Sequence, residues 1–225
     1  MKNENQHKFT TDPDSNQNIP KELHFLQHLQ HLEFIPKLIN FHDGVNTSTV
    51  VMEFLDNDWT DLSEFISDCR DESVIKKIIK NVIISLHKLS NIGYYHQDIK
   101  PDNIMVNRNN LKIKLVDFED TIYCKETFPL YTIQNSGTIG YKSPESFFQC
   151  PCYVKPSMVF NIGCFIYVCI EKEFAYNTKN ETLKCDPLEI RHSSKLAADL
   201  IRRCTTRYPL NRWEFHTILR HPWFC

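Results

Sequence analysis

A polar run lies between the longest amphipathic segment of the chain and a short hairpin pattern, and this order restricts the fold more than any other feature. Apolar residues recur with helical spacing over residues 73–90, and Gly93 lies just past the end of that pattern. Residues 104–106 and 111–116 have the pattern of short strands, with an asparagine-rich turn between them. A helix, a polar loop and a hairpin are therefore expected in direct succession. The polar run reads His96-Gln97-Asp98-Ile99-Lys100-Pro101-Asp102-Asn103.

The flanking segments predict a small mixed unit followed by a larger helical unit. Pro20 opens a predicted helix in which Leu23, Leu26 and Leu29 recur on one face. Two strand-like runs follow, at residues 34–41 and 48–55, joined by the turn signal His42-Asp43-Gly44. Later helices are predicted over residues 157–170, 193–204 and 212–219. This order of elements predicts an α+β chain.

The composition argues against several classes of protein. A chain of 225 residues that is 41% hydrophobic and 24% charged can bury a core of ordinary globular size. Its formal net charge of -2 gives no reason to expect nucleic acid or an anionic membrane as a partner. The longest apolar run, residues 158–170, is shorter than the ~20 residues of a membrane span and predicts a buried helix. Nine cysteines, an odd number, behind a polar N-terminus predict reduced thiols in an intracellular protein, cytoplasmic or nuclear.

Two further motifs and a late arginine follow the hairpin pattern, namely Asp117-Phe118-Glu119, residues 137–145 and Arg212. Together with the polar run they resemble the eukaryotic protein kinase family of the serine/threonine type. Asp117-Phe118-Glu119 stands where that family has Asp-Phe-Gly, and residues 137–145 match the segment that closes the activation loop. Arg212, predicted to lie in a late helix, stands where the family keeps an arginine that pairs with Glu145. The resemblance runs from about Pro20 to the C-terminus. It implies a mainly helical large lobe and a truncated small lobe of one helix and two strands.

This resemblance implies the chemistry of the site residues. Asp98 would accept the proton of a substrate hydroxyl, and Lys100 would neutralise charge on the transferred phosphoryl group. Thr138 would hold both side chains through its hydroxyl, while Asn103 and Asp117 would bind Mg²⁺. ATP and Mg²⁺ are the implied cofactors, and a protein hydroxyl is the implied substrate. Each residue alone has a structural alternative, such as an aspartate that caps a turn.

The nucleotide-binding side is implied by weaker matches. Glu22 resembles the helix glutamate that orients the nucleotide-binding lysine, although a glutamate favoured by the helix dipole is the alternative. Met52 would lie at the back of the adenine pocket, and the backbones of Glu53 and Leu55 would bond adenine. Asp61 would either meet the ribose or cap the next helix. The closing His221-Pro222-Trp223 is most similar to Pim-type and calmodulin-dependent-type kinases.

The resemblance divides the chain into three parts. Residues 1–19 are predicted to be a polar, disordered arm, residues 20–55 a remnant of the small lobe, and residues 56–225 the large lobe. With so few strands, the apolar face of the helix after Pro20 is expected to be partly uncovered, a surface that another kinase or a regulator would dock on.

Four departures from the family pattern concern the nucleotide and the metal. The family's glycine-rich phosphate loop is not found, since all five glycines lie elsewhere in the chain. The strand that carries the nucleotide-binding lysine is not found before Glu22 either, and Lys8 is the only candidate for that lysine. Gln97 replaces an arginine, so control by loop phosphorylation is not expected. Glu119 replaces a glycine, and its carboxylate would either attract metal or distort the turn.

Three interpretations of the chain follow from these matches and departures. The first is a divergent serine/threonine kinase with a trimmed front. The second is a catalytically impaired pseudokinase, or a kinase mimic that acts as a binding module. The third is an incomplete copy of a longer kinase.

Overall fold

Most of the described strands lie in the first half of the chain and most of the described helices in the second half, which confirms the predicted α+β class. The computed structural model describes residues 9–11, 18–44, 48–124, 130–131, 137–148 and 150–225. The helices in these ranges are α1 (Lys21–Leu29), α2 (Leu62–Asp68), α3 (Glu72–Asn91), α4 (Val154–Glu171), α5 (Lys179–Lys184), α6 (Lys195–Cys204) and α7 (Phe215–Leu219). The strands are β1 (Phe9–Thr11), β2 (Asn18–Pro20), β3 (Leu38–Asp43), β4 (Ser48–Met52), β5 (Trp59–Asp61), β6 (Tyr94–Tyr95), β7 (Ile104–Asn107), β8 (Ile113–Leu115), β9 (Ile122–Tyr123), β10 (Leu130–Tyr131) and β11 (Cys152–Tyr153).

The part of the chain before Asp56, predicted to be the small lobe, has four strands in two antiparallel pairs among its described residues, rather than the two strands predicted. Strand β1 pairs with β2, and β3 pairs with β4 with an irregularity after Leu38. The prediction of a disordered arm over residues 1–19 is therefore wrong for residues 9–11 and 18–19. Strands β1 and β2 have only three residues each, which is too short for an alternation of apolar and polar side chains to show in the sequence. The mainly polar N-terminal segment therefore did not predict strands.

The apolar face of α1 is covered by the rest of the protein, which corrects the expectation of an uncovered face. Leu23, Phe25, Leu26 and Leu29 are each at most 4% exposed. The ring of Phe25 meets that of Tyr94 edge to face, with the centroids 5.6 Å apart. The helix therefore belongs to the same hydrophobic core as the large lobe, because burying these side chains is the main gain from packing it.

Helix α4 forms the centre of the large lobe. Phe160 and Phe165 are fully buried, and so is Met158, at a position where many kinases have an aspartate. Among the described residues α4 alone is long and apolar enough to cross a membrane, but 89% of the qualifying window is buried inside the protein, as in the core helix of a folded domain. At Gly163 a Cβ atom would lie 2.7 Å from the Cβ of Cys204, so glycine permits the close contact between α4 and α6.

The loop over residues 96–103 and the loop over residues 116–121 meet because the short strands on either side of them are paired. Strands β5, β7 and β8 form one antiparallel sheet, and β6 pairs with β9. The N–H of Val116 donates to the carbonyl of Asn103 over 3.0 Å, which joins the two loops directly. The backbone thus brings the two most informative motifs of the sequence to one place.

Arg212 lies outside the helix predicted for it, since α7 begins only at Phe215. The residue follows a 3-10 turn over Pro209–Asn211 and has an extended backbone. Its guanidinium is buried and forms a bidentate ion pair with Glu145, at 2.5 and 2.8 Å. The predicted pairing of these two residues is present, and it fixes the segment after residue 137 to the large lobe.

Candidate active site

The Asp98 carboxylate is the centre of the candidate site, and both of its oxygens accept hydrogen bonds. Oδ2 accepts from the Lys100 ammonium over 2.6 Å and from the Asn103 amide over 3.1 Å, while Oδ1 accepts from the Thr138 N–H over 2.9 Å. Burial acts to raise the pKa of Asp98, but the hydrogen bonds and the Lys100 charge outweigh it and lower the pKa. The carboxylate is therefore ionised at neutral pH.

Lys100 joins the catalytic-loop sequence to the segment after residue 137. Its ammonium donates to Thr138 Oγ1 over 2.9 Å as well as to Asp98. Burial alone would lower the pKa of Lys100, but the hydrogen bond and charge of Asp98, with the charge of Asp117, raise it. Thr138 thus holds Lys100 through its hydroxyl and Asp98 through its backbone N–H, and a hydrogen bond of the Thr138 side chain also contributes to the lowered pKa of Asp98.

The Asn103 side chain is oriented by its own NH₂ group. Nδ2 donates to the Asp98 carbonyl over 3.0 Å and to the Asp98 carboxylate over 3.1 Å, and the residue is only 6% exposed. Within the described part of the chain, Asn103 Oδ1 accepts no hydrogen bond. This hard oxygen is therefore available as a metal ligand.

A buried histidine joins the loop over residues 96–103 to the loop over residues 116–121. His96 Nε2 donates to the Val116 carbonyl over 3.2 Å, and Nδ1 accepts from the Asp98 N–H over 3.3 Å. Burial lowers the pKa of His96, which favours the neutral ring that these two bonds require. The His96 ring also meets the buried Phe118 ring edge-on at 5.3 Å. The histidine therefore ties the two loops together in a single tautomer.

Asp117 is exposed and has a left-handed backbone, with φ of 63°, a conformation that aspartate tolerates better than most residues. Its charge acts on Lys100, on His96 and on Glu22, which places it beside the Asp98 cluster. Glu119 has no positive φ, so the glycine it replaces was not needed for backbone freedom here. Of the two outcomes expected for Glu119, distortion of the turn by a strained φ is excluded.

Asp120 is a site residue that the sequence reasoning missed. Its Oδ2 accepts a hydrogen bond of 2.8 Å from the N–H of Gly137, the residue before Thr138. Gly137 has φ of 80°, and a Cβ there would lie 3.0 Å from the Gln97 carbonyl oxygen, so glycine is required. Adjacent amides of Gly137 and Thr138 are thus held by Asp120 and Asp98. No motif marks this contact, because it joins a side chain to a backbone group 17 residues away.

Gln97 is buried at the position of the family arginine. It is 3% exposed, and its Nε2 has no hydrogen-bond partner within the described ranges. A neutral amide here cannot form the ion pair that a phosphorylated loop would need. The expectation about phosphorylation control stays a prediction.

Residues 53–55, directly after β4, contain the backbone groups expected to bond adenine, and we call this segment the strand end. Glu53 donates its N–H to the Lys37 carbonyl over 2.9 Å, and Leu55 takes part in no backbone hydrogen bond among the described residues. Asp61 caps α2, because its carboxylate accepts from the Glu64 N–H over 2.8 Å. The structure thus shows the helix-cap alternative for Asp61, while its contact with ribose stays a prediction.

Glu22 lies on the nucleotide side without a cationic partner among the described residues. Its pKa is raised, mainly by burial and to a smaller extent by the negative charges of Asp117 and Glu119. Lys8, the candidate lysine, lies outside the described residues. The orienting role predicted for Glu22 therefore stays a prediction.

Comparison with known proteins agrees with the motifs. A family model described as protein kinase domain matches residues 1–224. Serine/threonine-protein kinase 1 of African swine fever virus is 28% identical over 212 residues, which cover 93% of this chain and 70% of the viral protein. The probable serine/threonine-protein kinase fhkB of Dictyostelium discoideum is 30% identical, over 92% of this chain and 19% of its own length. Serine/threonine-protein kinase pim-2 of Danio rerio is 28% identical, over 72% of this chain and 52% of its own length.

Proposed function

The chain belongs to the protein kinase family and is of the serine/threonine type, and from this premise we propose that it transfers the γ-phosphoryl group of ATP to a protein hydroxyl. The observation that carries the proposal is the Asp98 carboxylate, held by Lys100, Asn103 and Thr138 at 2.6 to 3.1 Å. Such a set of fixed donors around one ionised base costs no reorganisation at the moment of reaction.

In the proposed reaction the substrate hydroxyl oxygen bonds to the γ-phosphorus while the bond from that phosphorus to the bridging oxygen of ADP breaks. Asp98 receives the hydroxyl proton, which its ionised state at neutral pH allows. The Lys100 ammonium, whose raised pKa keeps it charged, stabilises the negative charge on the transferred group. Thr138 holds both side chains in this geometry.

Members of the family use ATP and Mg²⁺, and the oxygens present suit that metal. Asn103 Oδ1 is left free by the orientation of its NH₂ group, and Asp117 presents an exposed carboxylate beside Lys100. Magnesium prefers such hard oxygen ligands and is commonly held by one or two protein groups together with phosphates. When bound it would neutralise phosphate charge, and we assign its protein ligands to Asn103 and Asp117.

We assign the adenine contacts to the backbones of Glu53 and Leu55. Leu55 has an uncommitted N–H and carbonyl, and Glu53 has an uncommitted carbonyl, among the described residues. The intracellular location expected from the cysteines is part of the same proposal. The described structure shows no disulfide bond among the cysteines, a state that a reducing compartment would maintain.

A binding module without catalysis is the second candidate. It is favoured by apolar side chains on the small-lobe sheet and the strand end, where Ile39 is 64% and Phe54 is 88% exposed. Another kinase or a regulator would cover such side chains on docking. In this case the Asp98 cluster would be a retained structural feature.

The proposal is tested with the purified chain, Mg²⁺, labelled ATP and a generic basic protein. We expect label on serine or threonine of the substrate, and none when EDTA removes the metal. Thermal denaturation with and without Mg-ATP is measured in parallel, because a ligand that binds the folded state raises Tm. Absence of both label and thermal shift would overturn the kinase proposal and leave the binding module.

A further inference from the structure

We propose that Lys114 is a positioning residue that sets the affinity for ATP by fixing the strand end at Glu53. The inference rests on the proposed function, in which the backbones of Glu53 and Leu55 bond adenine. Lys114 lies on β8 in the large lobe, outside every motif of the family resemblance. Its side-chain hydrogen bonds among the described residues are with residues that come before Asp56 in the chain.

The Lys114 ammonium is saturated by three acceptors from two segments. It donates to the carbonyls of Glu33 and Ile35, each over 3.3 Å, and to Glu53 Oε1 over 2.5 Å. An ammonium has three donor hydrogens, so these contacts use its full capacity. The side chain is only 12% exposed, and that of Glu53 is 25% exposed. The ion pair is therefore partly removed from water, where its strength exceeds that of a surface pair.

Backbone contacts place Lys114 at this point. The N–H of Leu115, its neighbour on β8, donates to the carbonyl of Phe34 over 2.9 Å. That bond draws the segment between α1 and β3 against β8, and Phe34 and Ile35 are buried there. The contact between Lys114 and Glu53 then extends the same attachment to the end of β4.

Glu53 is fixed by side chain and backbone together. Its Oε1 accepts from the Lys37 N–H over 2.8 Å, and its own N–H donates to the Lys37 carbonyl over 2.9 Å. Burial acts to raise the pKa of Glu53, but the hydrogen bonds of Lys114 and Lys37 lower it, so the carboxylate is ionised. The residue before Glu53, Met52, packs partly against the core, but the next residue, Phe54, is 88% exposed and adds almost no apolar packing. The polar contacts of Glu53 therefore help to hold the adenine-bonding backbone in place.

Loss of the Lys114 ammonium should weaken nucleotide binding without changing the chemical step. Lys114 touches none of the groups around Asp98 in the described structure, so its loss should leave the phosphoryl-transfer geometry unchanged. Without its ammonium partner, the Glu53 carboxylate would turn toward solvent, and the strand end would then sample more conformations. ATP binding would then have to order the strand end, and the conformational entropy lost in this ordering weakens the binding.

The test measures Kd for a fluorescent ATP analogue, together with KM for ATP and kcat, in the full chain. We expect Lys114→Met to raise Kd and KM about tenfold, equivalent to ~1.4 kcal/mol, with kcat within about twofold. Lys114→Arg, which keeps a cationic donor, should stay within about threefold of the parent. Lys112→Met is the matched control, because Lys112 is exposed on the same hairpin and its side chain forms no hydrogen bond or ion pair among the described residues.

A second background shows whether Lys114 acts through Glu53. In Glu53→Gln the further change Lys114→Met should have a much smaller effect on Kd, since contacting residues are not additive. A purely structural role would reduce the folded fraction and lower the apparent kcat, but would leave the Kd of the remaining folded molecules unchanged. Kd equal to the parent value in Lys114→Met, or an undiminished effect in the Glu53→Gln background, would overturn the inference alone. Absence of nucleotide binding by the unsubstituted chain would overturn the proposed function and this inference with it.

Discussion

The two sides of the candidate cleft differ in how their charged groups are neutralised. On the large-lobe side, the Asp98 carboxylate meets a cation and two N–H donors, and its pKa is lowered. On the small-lobe side, Glu22 meets burial and two like charges, from Asp117 and Glu119, and its pKa is raised. The same type of group is stabilised as an anion on one side and destabilised as an anion on the other.

This difference teaches which part of the reaction each side controls. Contacts within the large lobe fix the groups that act on the phosphoryl group, so their geometry is complete without nucleotide. The adenine-bonding strand end is fixed by the hydrogen bonds of Glu53 with Lys37 inside the small lobe and by the ion pair of Glu53 with Lys114 between the lobes. We therefore expect substitutions around Asp98 to change kcat, and substitutions at the strand end to change KM for ATP.

Among substitutions of the residues that surround Asp98, Lys100→Met should give the largest effect. It removes the charge that stabilises the transferred group, and we expect kcat to fall roughly 100- to 1,000-fold while KM for ATP changes little. Steady-state kinetics check this, with Lys88→Met, a change at an exposed lysine of α3, as the control. A mainly KM effect would contradict the division between the two sides.

Asp120→Ala should give an intermediate effect. The change frees the Gly137 amide and loosens Thr138, so we expect kcat to fall about tenfold at unchanged KM for ATP. Asp120→Asn keeps an oxygen that accepts from Gly137 and should recover most of that loss. The control is Asp68→Ala, at an exposed aspartate of α2. If Asp120→Ala were as active as this control, Asp120 would have no positioning role.

Glu22→Gln should give the smallest kinetic effect, within about twofold in kcat/KM, because no described cation loses its partner. Its effect on stability has a defined pH dependence. A carboxyl whose folded pKa is raised above 4.5 loses folding free energy as pH rises from that value through the folded pKa. Glu22→Gln should therefore raise Tm by about 1–3 °C at pH 7 and leave it unchanged at pH 4. A large activity loss would show that Glu22 pairs with a lysine, as the family resemblance implies.

The helices could be predicted from the sequence because their apolar residues keep one period over several turns. The helix predicted over residues 73–90 is observed as α3, and the buried helix over residues 157–170 is observed within α4. The short strands β1 and β2 could not be predicted, since three residues are too few to show an alternation of apolar and polar side chains. Arg212 was placed in a helix because apolar residues follow it at helical spacing, whereas Pro209 starts a separate turn before it.

The centre of the site could be predicted because its residues lie at fixed spacings in three motifs that resemble the protein kinase family. The structure brings Asp98, Lys100, Asn103 and Thr138 together and places Asp117 beside them. Asp120 and Lys114 could not be predicted, because each acts on a backbone group or a side chain from a distant segment. Such contacts depend on the approach of separate loops, which no local pattern in the sequence records.

The central claim is that the Asp98 cluster is a working phosphoryl-transfer site. Its most direct test is the single-turnover rate of Asp98→Asn with saturating Mg-ATP, with the Kd for the ATP analogue measured on the same sample. Asparagine keeps the size of the side chain but cannot accept the hydroxyl proton, so we expect the rate to fall about 1,000-fold at an unchanged Kd. A rate within about tenfold of the unsubstituted chain would contradict the account.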